Sequence, residues 1–426
     1  MNAERTALFS NAPVRKAVLT LAIPTVISQL ITVVYNMADT FFIGKLNDPL
    51  QVAAATVVMP CFMLLTGFAN LFGLGGSSLI SRCLGTDDQE KARHCASFCI
   101  WTGAAVALLY GIAVILLEPV LFPLLGASEG TWESCRQYAF WTIGVGAVPT
   151  VMNAELAHLI RAEGYSRPAG FGVAFGGVLN IILDPIFIFA LRLNIAGAAI
   201  ATMLSNLIAM GYFLGFLYHI RKNTVITPDP KAFSIRQHIP GEVLSVGLPG
   251  FVMTMMSTIS NGVLNHTVAG YSDTAIAGMG IAKKIDLLAY AIAQGMTQGT
   301  LPLIGYNYTS GSLKRMKAAI KTAFAYSFLV ACAGTVLLWT LAAPISRCFI
   351  ADAETVRYGQ HFLKIICLAC PTTAINFMVI TVFQAIGKRV QPLCLSLLRK
   401  GSLDVVFMLL LNHAVGVSGI AWATPF

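Results

Sequence analysis

Five polar residues inside long apolar runs are the residues in this sequence best suited to chemistry: Asp39, Asn153, Asn180, Asp184 and Thr202. Asn180 and Asp184 are four residues apart, so they share one face of a helix. An ionisable group within a bilayer costs at least about 2.5 kcal/mol and therefore needs a reason. Oxygen ligands of these types suit a hard cation such as Na⁺, whereas two carboxylates held close together would share a proton. The sequence leaves both alternatives open.

Pro185 adds a further oxygen to this group of residues. It lacks an N–H group, so the carbonyl of Ile181 loses its helical hydrogen-bond partner. Hydrogen bonds between neighbouring helices are the alternative explanation for a lone Asn or Thr in a membrane. That explanation is weaker for Asp39 and Asp184, because no Lys or Arg lies within one turn of either residue.

Composition identifies the surroundings of these residues as a membrane. Of 426 residues, 56% are hydrophobic and only 11% are charged, against about 25% in ordinary soluble domains. This excludes a soluble globular protein and leaves room for about a dozen spans of about 20 residues. The net charge of +9 does not indicate nucleic-acid binding, because the basic residues lie in short breaks between apolar runs.

The apolar runs predict an all-α polytopic membrane protein with eleven spans and the beginning of a twelfth near Gly419. The predicted spans are residues 16–42, 50–80, 95–118, 138–160, 169–190, 196–219, 242–270, 275–306, 318–346, 360–386 and 391–412. With the N-terminus in the cytoplasm, about eighteen basic residues fall inside and about six outside, which is the bias expected of cytoplasmic loops. We therefore expect a multi-pass membrane protein whose N-terminus lies in the cytoplasm.

The polar stretch 221–240 divides the chain into an N-terminal lobe, 1–220, and a C-terminal lobe, 241–426. A shift of about 220–226 residues aligns Pro24 with Pro249, Asn153 with Asn376 and Asp184 with Asp404. Six spans in each half predict two lobes related by a pseudo-two-fold axis along the membrane normal. Because the counterpart of span six stops at Phe426, we expect a truncated final helix that lacks about 15–25 residues.

The two halves differ in their polar residues. Lys400 stands four residues before Asp404 and can neutralise it, and Leu264 replaces Asp39, so we expect the cation site in the N-terminal lobe alone. In span eight, Lys283 can pair with Asp286. Glu155 in span four has Arg161 as its simplest predicted partner. The predicted substrate cleft contains the residues Lys284, Met253, Met256 and Met279.

Several segments resemble one known family. They are MADTFFIGKL after Pro24, GLGGSSLISRCLG, IRAEGYSRP, NIILDPIFIF, LNIAGAAIAT and QGTLPLIGYNYTSG. Together they are similar to the multidrug and toxic compound extrusion (MATE) transporters, in the prokaryotic DinF-like or MepA-like branch. The resemblance implies a two-lobed carrier that exports organic cations or amphipathic compounds in exchange for Na⁺ or H⁺. It also implies that the protein resides in a bacterial or archaeal cytoplasmic membrane. It also implies cation binding by the five residues Asp39, Asn153, Asn180, Asp184 and Thr202.

We therefore predict a secondary antiporter that works by alternating access, with hinges at Pro24 and Pro185. It is expected to be a monomer in the lipid bilayer with amphipathic small molecules as substrates, no nucleic-acid partner, no enzymatic activity and no cofactor apart from the coupling ion.

A lipid-linked oligosaccharide flippase of the same superfamily is the alternative. It needs a strongly basic cavity, and only Lys283, Lys284, Arg399 and Lys400 are intramembrane bases. An intramembrane enzyme would need a second acidic cluster besides Asp87–Asp88, and a channel would need rings of charge.

Overall fold

The computed structural model describes residues 3–46, 48–349 and 352–425, and these residues form helices and no strand. The prediction of an all-α fold is confirmed. The helices are α1 (Ala3–Ser10), α2 (Val14–Gly44), α3 (Pro49–Gly85), α4 (Gln89–Leu116), α5 (Glu118–Leu124), α6 (Trp132–Ala139), α7 (Ala147–Ala162), α8 (Ser166–Pro185), α9 (Asn194–Ile220), α10 (Ile239–Ala269), α11 (Asp273–Thr309), α12 (Leu313–Thr340), α13 (Ala342–Phe349), α14 (Ala353–Ile366), α15 (Ala369–Ala385), α16 (Val390–Ser396), α17 (Asp404–Val415) and α18 (Val417–Trp422).

Side-chain caps fix where several of these helices begin. Asp48 precedes α3 and accepts a hydrogen bond from the Leu50 N–H, while Pro49 occupies the first helical position. Asp88 caps α4 in the same way, and Ser272 caps α11. These caps place the breaks between spans at short polar turns, as the hydropathy pattern predicts.

Every predicted span is occupied by helix, but not always by one straight helix. In the part of the chain that the structure describes, seven helices are long and apolar enough to cross a membrane, and two bent pairs raise the number to nine. The bends lie between α6 and α7, at 48°, and between α14 and α15, at 42°. Three π-helical segments interrupt predicted spans four, five and eleven: Phe140–Val145, Ile186–Ala190 and Leu397–Leu403. Such segments are frequent at functional sites.

The segment between α9 and α10 is fastened to the N-terminal lobe. Trp101 Nε1 donates to the Pro228 carbonyl at 3.0 Å, and Ser97 Oγ donates to the Asp229 carbonyl at 2.9 Å. Glu163 accepts from the Thr224 hydroxyl and from the Val225 N–H, at 2.5 and 2.7 Å. We call the side of the molecule that carries this segment the linker side.

The two lobes are joined on the linker side. Glu242 of α10 forms ion pairs with Arg82 at 3.2 Å and with Lys91 at 2.7 Å, both in the N-terminal lobe. The largest hydrophobic cluster continues from the N-terminal lobe into the C-terminal lobe through Val243 and Leu303. Further from the linker side, a smaller cluster lies wholly within the C-terminal lobe.

Glycine allows α3 and α10 to cross at close range where the lobes meet. A Cβ atom on Gly247 would lie 1.8 Å from the Leu71 carbonyl oxygen, and one on Gly75 would lie 2.1 Å from the Val243 carbonyl oxygen. Both obstacles are backbone atoms, which cannot rotate away. The closed linker side therefore depends on small residues at this crossing, as is common between membrane helices.

Replacing Gly247 with Ala should lower the midpoint of thermal unfolding in detergent, because overpacking costs about 1–3 kcal/mol. Gly262→Ala is the matched control on the same helix, since a Cβ atom there meets nothing within 4 Å. The control should leave the midpoint unchanged or raise it slightly, because Ala favours helix over Gly. Equal midpoints for the two variants would contradict the close crossing.

Candidate functional site

Helix α8 brings Asn180 and Asp184 together, as their spacing predicts. The Asn180 amide nitrogen Nδ2 donates to Asp184 Oδ1 at 3.3 Å and to Thr202 Oγ1 of α9 at 3.3 Å. Asn180 and Asp184 are 1% and 0% exposed. Three of the predicted residues thus form one buried hydrogen-bonded group between α8 and α9.

Asn153 joins this group through a residue that the sequence did not single out. Its Nδ2 donates to Asn206 Oδ1 at 2.8 Å, and Asn206 Nδ2 donates to the Thr202 carbonyl at 2.9 Å. Asn206 lies one turn after Thr202 on α9, and this spacing could have indicated from the sequence that Asn206 belongs to the site. The polar group therefore extends from α7 through α9 to α8.

Asp39 approaches the same group from α2. It lies close enough to Asp184 for the two carboxyl groups to interact electrostatically. Tyr35 and Tyr138 also interact with Asp39, and Tyr138 interacts with Asp184 as well. Neither tyrosine was predicted, although Tyr35 lies one turn before Asp39. The structure thus places all five predicted residues in one region of the N-terminal lobe.

Oxygen atoms without a hydrogen-bond donor are what this region has in common. Among the described residues, four buried acceptors of this region have no hydrogen-bond partner: Asp39 Oδ1, Asn153 Oδ1, Asn180 Oδ1 and Asp184 Oδ2. A buried acceptor without a donor costs about 1–3 kcal/mol. An all-oxygen set of this kind fits Na⁺, and protons on the two carboxyl groups would satisfy part of the same need. The residues present are therefore suited to binding a cation.

Of the two predicted hinge prolines, Pro185 adjoins this region because it directly follows Asp184, whereas Pro24 lies fifteen residues before Asp39 on α2. After Pro185 the chain continues as the π-helical segment Ile186–Ala190, and the Leu191 N–H bonds to the Ile186 carbonyl at 2.9 Å. Helix α2 runs through Pro24 without a break. A Cβ atom on Gly170 of α8 would lie 2.6 Å from the Pro24 carbonyl oxygen, so α8 contacts α2 directly at Pro24. Their role as hinges stays a prediction.

A cavity lies between the lobes and borders α3, α10, α11 and α15. The residues that line it are Asn70, Leu74, Pro249, Gly250, Met253, Thr254, Tyr290, Gln294, Thr297, Gln298, Leu301, Phe377, Ile380, Thr381 and Gln384. Hydrogen bonds across the lobes lie at the cavity: Gln29 to Gln298 at 2.8 Å and Asn70 to Thr254 at 3.2 Å. Its lining combines apolar and uncharged hydrogen-bonding groups.

Of the four residues predicted for the substrate cleft, Met253 alone is part of this lining. Met279 is 2% exposed and packs in the core of the C-terminal lobe, because its side of α11 faces α14. Lys284 and Met256 are half-buried and are not among the residues of this lining. A role for these three residues in a substrate cleft therefore stays a prediction. The cavity-facing side of α11 instead carries Tyr290, Gln294 and Gln298, whose period of about four residues was the signal available in the sequence.

Charged residues outside the candidate cation site also differ from prediction. Neither oxygen of the Glu155 carboxyl group has a hydrogen-bond partner, and Arg161 Nη2 donates instead to Ser28 Oγ at 3.4 Å. The predicted Glu155–Arg161 pair is therefore wrong. Lys283 Nζ donates to Thr424 Oγ1 at 3.0 Å.

Asp404, the counterpart of Asp184, accepts a hydrogen bond from Ser260 Oγ at 2.5 Å. The predicted pair of Asp404 with Lys400 lies outside the described residues, because the Lys400 side chain is not described. Asp404 thus has a hydroxyl partner on α10, whereas one oxygen of Asp184 has none.

Comparison with known proteins gives a consistent result along the whole chain. The family model MatE matches residues 24–186 and again residues 249–410, and the two matches begin at Pro24 and Pro249. Multidrug export protein MepA of Staphylococcus saprophyticus is 30% identical over 423 residues, which cover 99% of this chain and 93% of that protein. The protein of the same name from Staphylococcus aureus strain MSSA476 is 28% identical over the same length.

A solved structure has the same fold. It is described as an outward-facing conformation of a multidrug resistance MATE family transporter of the MOP superfamily. The TM-score is 0.90 at 25% identity, and the match covers 100% of this chain and 94% of that one. The two-lobed arrangement is therefore shared with transporters of known structure.

Thr202→Val should weaken cation binding about 5- to 10-fold. It removes the hydroxyl that accepts a hydrogen bond from Asn180, and one such hydrogen bond contributes about 1 kcal/mol. The measurement is the cation concentration that half-stabilises the purified protein against heat, in separate Na⁺ and pH titrations. Ser205→Ala is the control, since Ser205 is also buried on α9 and its hydroxyl bonds only to the Thr202 carbonyl. If Ser205→Ala raises the half-stabilising cation concentration as much as Thr202→Val does, the assignment of Thr202 to the cation site is contradicted.

Proposed function

The chain belongs to the MatE family of transporters, and from this premise we propose that it is a multidrug efflux carrier. In this proposal it exports amphipathic compounds, organic cations among them, across a cell membrane in exchange for Na⁺ or H⁺. The observation that carries the proposal is the set of four buried oxygen acceptors without donors in the N-terminal lobe. Such a set favours a bound positive charge, which is what a coupling ion provides.

The position of these acceptors explains how an ion would affect the substrate cavity. Asp39 lies on α2, while Asn180 and Asp184 lie on α8, so a shared cation draws the two helices together. Helix α2 also carries Gln29, which bonds to Gln298 of the C-terminal lobe at the cavity. Cation binding in one lobe is thereby linked to a contact between the lobes.

Alternating access requires that the two sides of the membrane open in turn. The Glu242 ion pairs and the Gly75 and Gly247 crossing hold the linker side closed. With the linker in the cytoplasm, as the distribution of basic residues indicates, this state has its cavity directed outward. A cation that binds one state more tightly than the other shifts the equilibrium by that difference in affinity.

The cavity lining supports a substrate class of mixed character. Met253, Phe377 and Leu301 offer apolar contact, and Gln294, Gln298 and Thr297 offer hydrogen bonds. Flexible methionine and aromatic side chains fit many ligand shapes. A lipid-linked oligosaccharide flippase has less support, because the described residues of the lining include no charged side chain that would hold a pyrophosphate.

Transport of a fluorescent cation into proteoliposomes, under a Na⁺ gradient and a pH gradient applied separately, tests this function. One of the two gradients should drive transport. Asp184→Asn should reduce that transport at least 10-fold while the protein stays monodisperse, because the amide removes a charge from the cation site.

Asp404→Asn is the matched control in the other lobe and should reduce transport less than Asp184→Asn. An equally severe loss for Asp404→Asn would overturn the placement of the cation site in the N-terminal lobe. No transport under either gradient would overturn the proposed function itself.

A further inference from the structure

Arg399 is a membrane-embedded charge that the transport cycle described above does not use. It lies in the π-helical segment Leu397–Leu403, and its Nη2 donates to Thr373 Oγ1 of α15 at 2.7 Å. Its Nη1 is buried and has no hydrogen-bond partner. An arginine inside a membrane is costly and usually faces a pathway or a charged partner.

The guanidinium group lies directly behind the aromatic wall of the cavity. Its Cζ is 5.4 Å from the centroid of the Phe377 ring. Phe377 meets Tyr290 edge to face with ring centroids 4.8 Å apart, and both rings line the cavity. One aromatic layer therefore separates a fixed positive charge from the substrate space.

In the part of the chain that the structure describes, no carboxylate forms an ion pair with Arg399. Asp286 and Asp404 interact with it electrostatically from a distance, as does Tyr290. Asp404 also accepts a hydrogen bond from Ser260.

The candidate cation site and the segment around Phe377 carry charges of opposite sign. In the N-terminal lobe the acids Asp39 and Asp184 lie in the candidate cation site, while the base Arg161 is buried on α7 toward the linker side. In the C-terminal lobe, predicted spans eight and eleven carry four bases, Lys283, Lys284, Arg399 and Lys400, and two acids, Asp286 and Asp404. A substrate held between the lobes therefore experiences a field directed across the cavity.

We propose that Arg399 makes the C-terminal wall of the cavity selective for an anionic group, so that zwitterionic amphiphiles are the preferred substrates. This inference rests on the proposed efflux function. The cationic end of such a substrate points toward the acids of the N-terminal lobe, and its carboxylate points toward Phe377 and Arg399. A positive charge behind Phe377 also weakens the attraction of that ring for a substrate cation.

Two dyes that differ at one group provide the test. Rhodamine 6G is an ester with a fixed positive charge, and rhodamine 19 is its free acid, which has the same cationic ring system and a carboxylate at neutral pH. The measurements are dye affinity for the purified protein and dye export from proteoliposomes. Wild-type protein should bind the acid at least 3-fold more tightly than the ester.

Substitutions at Arg399 should change this ratio and not the affinity for both dyes equally. Arg399→Gln should bring the ratio of the two affinities, acid over ester, to about one, mainly because the acid binds more weakly. Arg399→Lys should retain most of the preference for the acid. Arg357→Gln is the control, because Arg357 is an exposed arginine of α14 in the same lobe and does not line the cavity. It should leave the ratio unchanged.

The outcomes separate this inference from the function on which it rests. Export of neither dye under any gradient contradicts the proposed function. Export of both dyes by wild-type protein that binds the ester as tightly as the acid contradicts the role of Arg399, whether or not Arg399→Gln folds. A preference that persists unchanged in Arg399→Gln contradicts it as well.

Discussion

The need of four buried oxygen atoms for positive charge is the constraint on which the rest of this structure depends. Asp39, Asn153, Asn180 and Asp184 each present an acceptor that no donor reaches. They lie on α2, α7 and α8, so a single cation would hold three helices of the N-terminal lobe together. Without it, the carboxyl groups of Asp39 and Asp184 repel each other when both are ionised. In the proposed function, the lobe responds to a cation by changing how its helices pack.

The proposed response would reach the substrate cavity because the lobes touch through the same helices. Gly170 of α8 contacts the backbone at Pro24, and Gln29 of α2 bonds to Gln298 across the cavity. The C-terminal lobe differs in its interior: Asp404 has a hydroxyl partner, and Arg399 supplies a permanent positive charge. A fold made of two repeats therefore combines one lobe that would bind a cation with one that already contains a charge. This asymmetry allows the two lobes to have separate roles in ion coupling and substrate selection.

Hydropathy and spacing predicted the all-α fold, the positions of the spans and the grouping of Asn180 with Asp184, because these depend on local periodicity. Contacts between segments that are distant in the sequence were harder to predict from it. Asn206 and Tyr138 join the site through tertiary packing, and an uncharged Asn or Tyr in a membrane helix is common enough to be overlooked. Met279 was placed in the cleft because methionines cluster in spans seven and eight, but the rotation of α11 directs it into the core. Glu155 and Arg161 share a helix and were expected to pair. The Glu155 carboxyl group instead lies against Gly103 of α4, where the absence of a side chain leaves space for it.

Coupling between the cation and the substrate is the central claim, and thermodynamic linkage makes it measurable at equilibrium. The most direct measurement is the affinity of purified protein for one exported dye, determined with the cation absent and with the cation saturating, for Na⁺ and for H⁺ in turn. Antiport predicts that one of the two cations weakens dye binding by about 5- to 150-fold, the range typical of allosteric coupling. The dye should weaken binding of that cation by the same factor. Dye affinity that stays constant across both titrations would contradict the account.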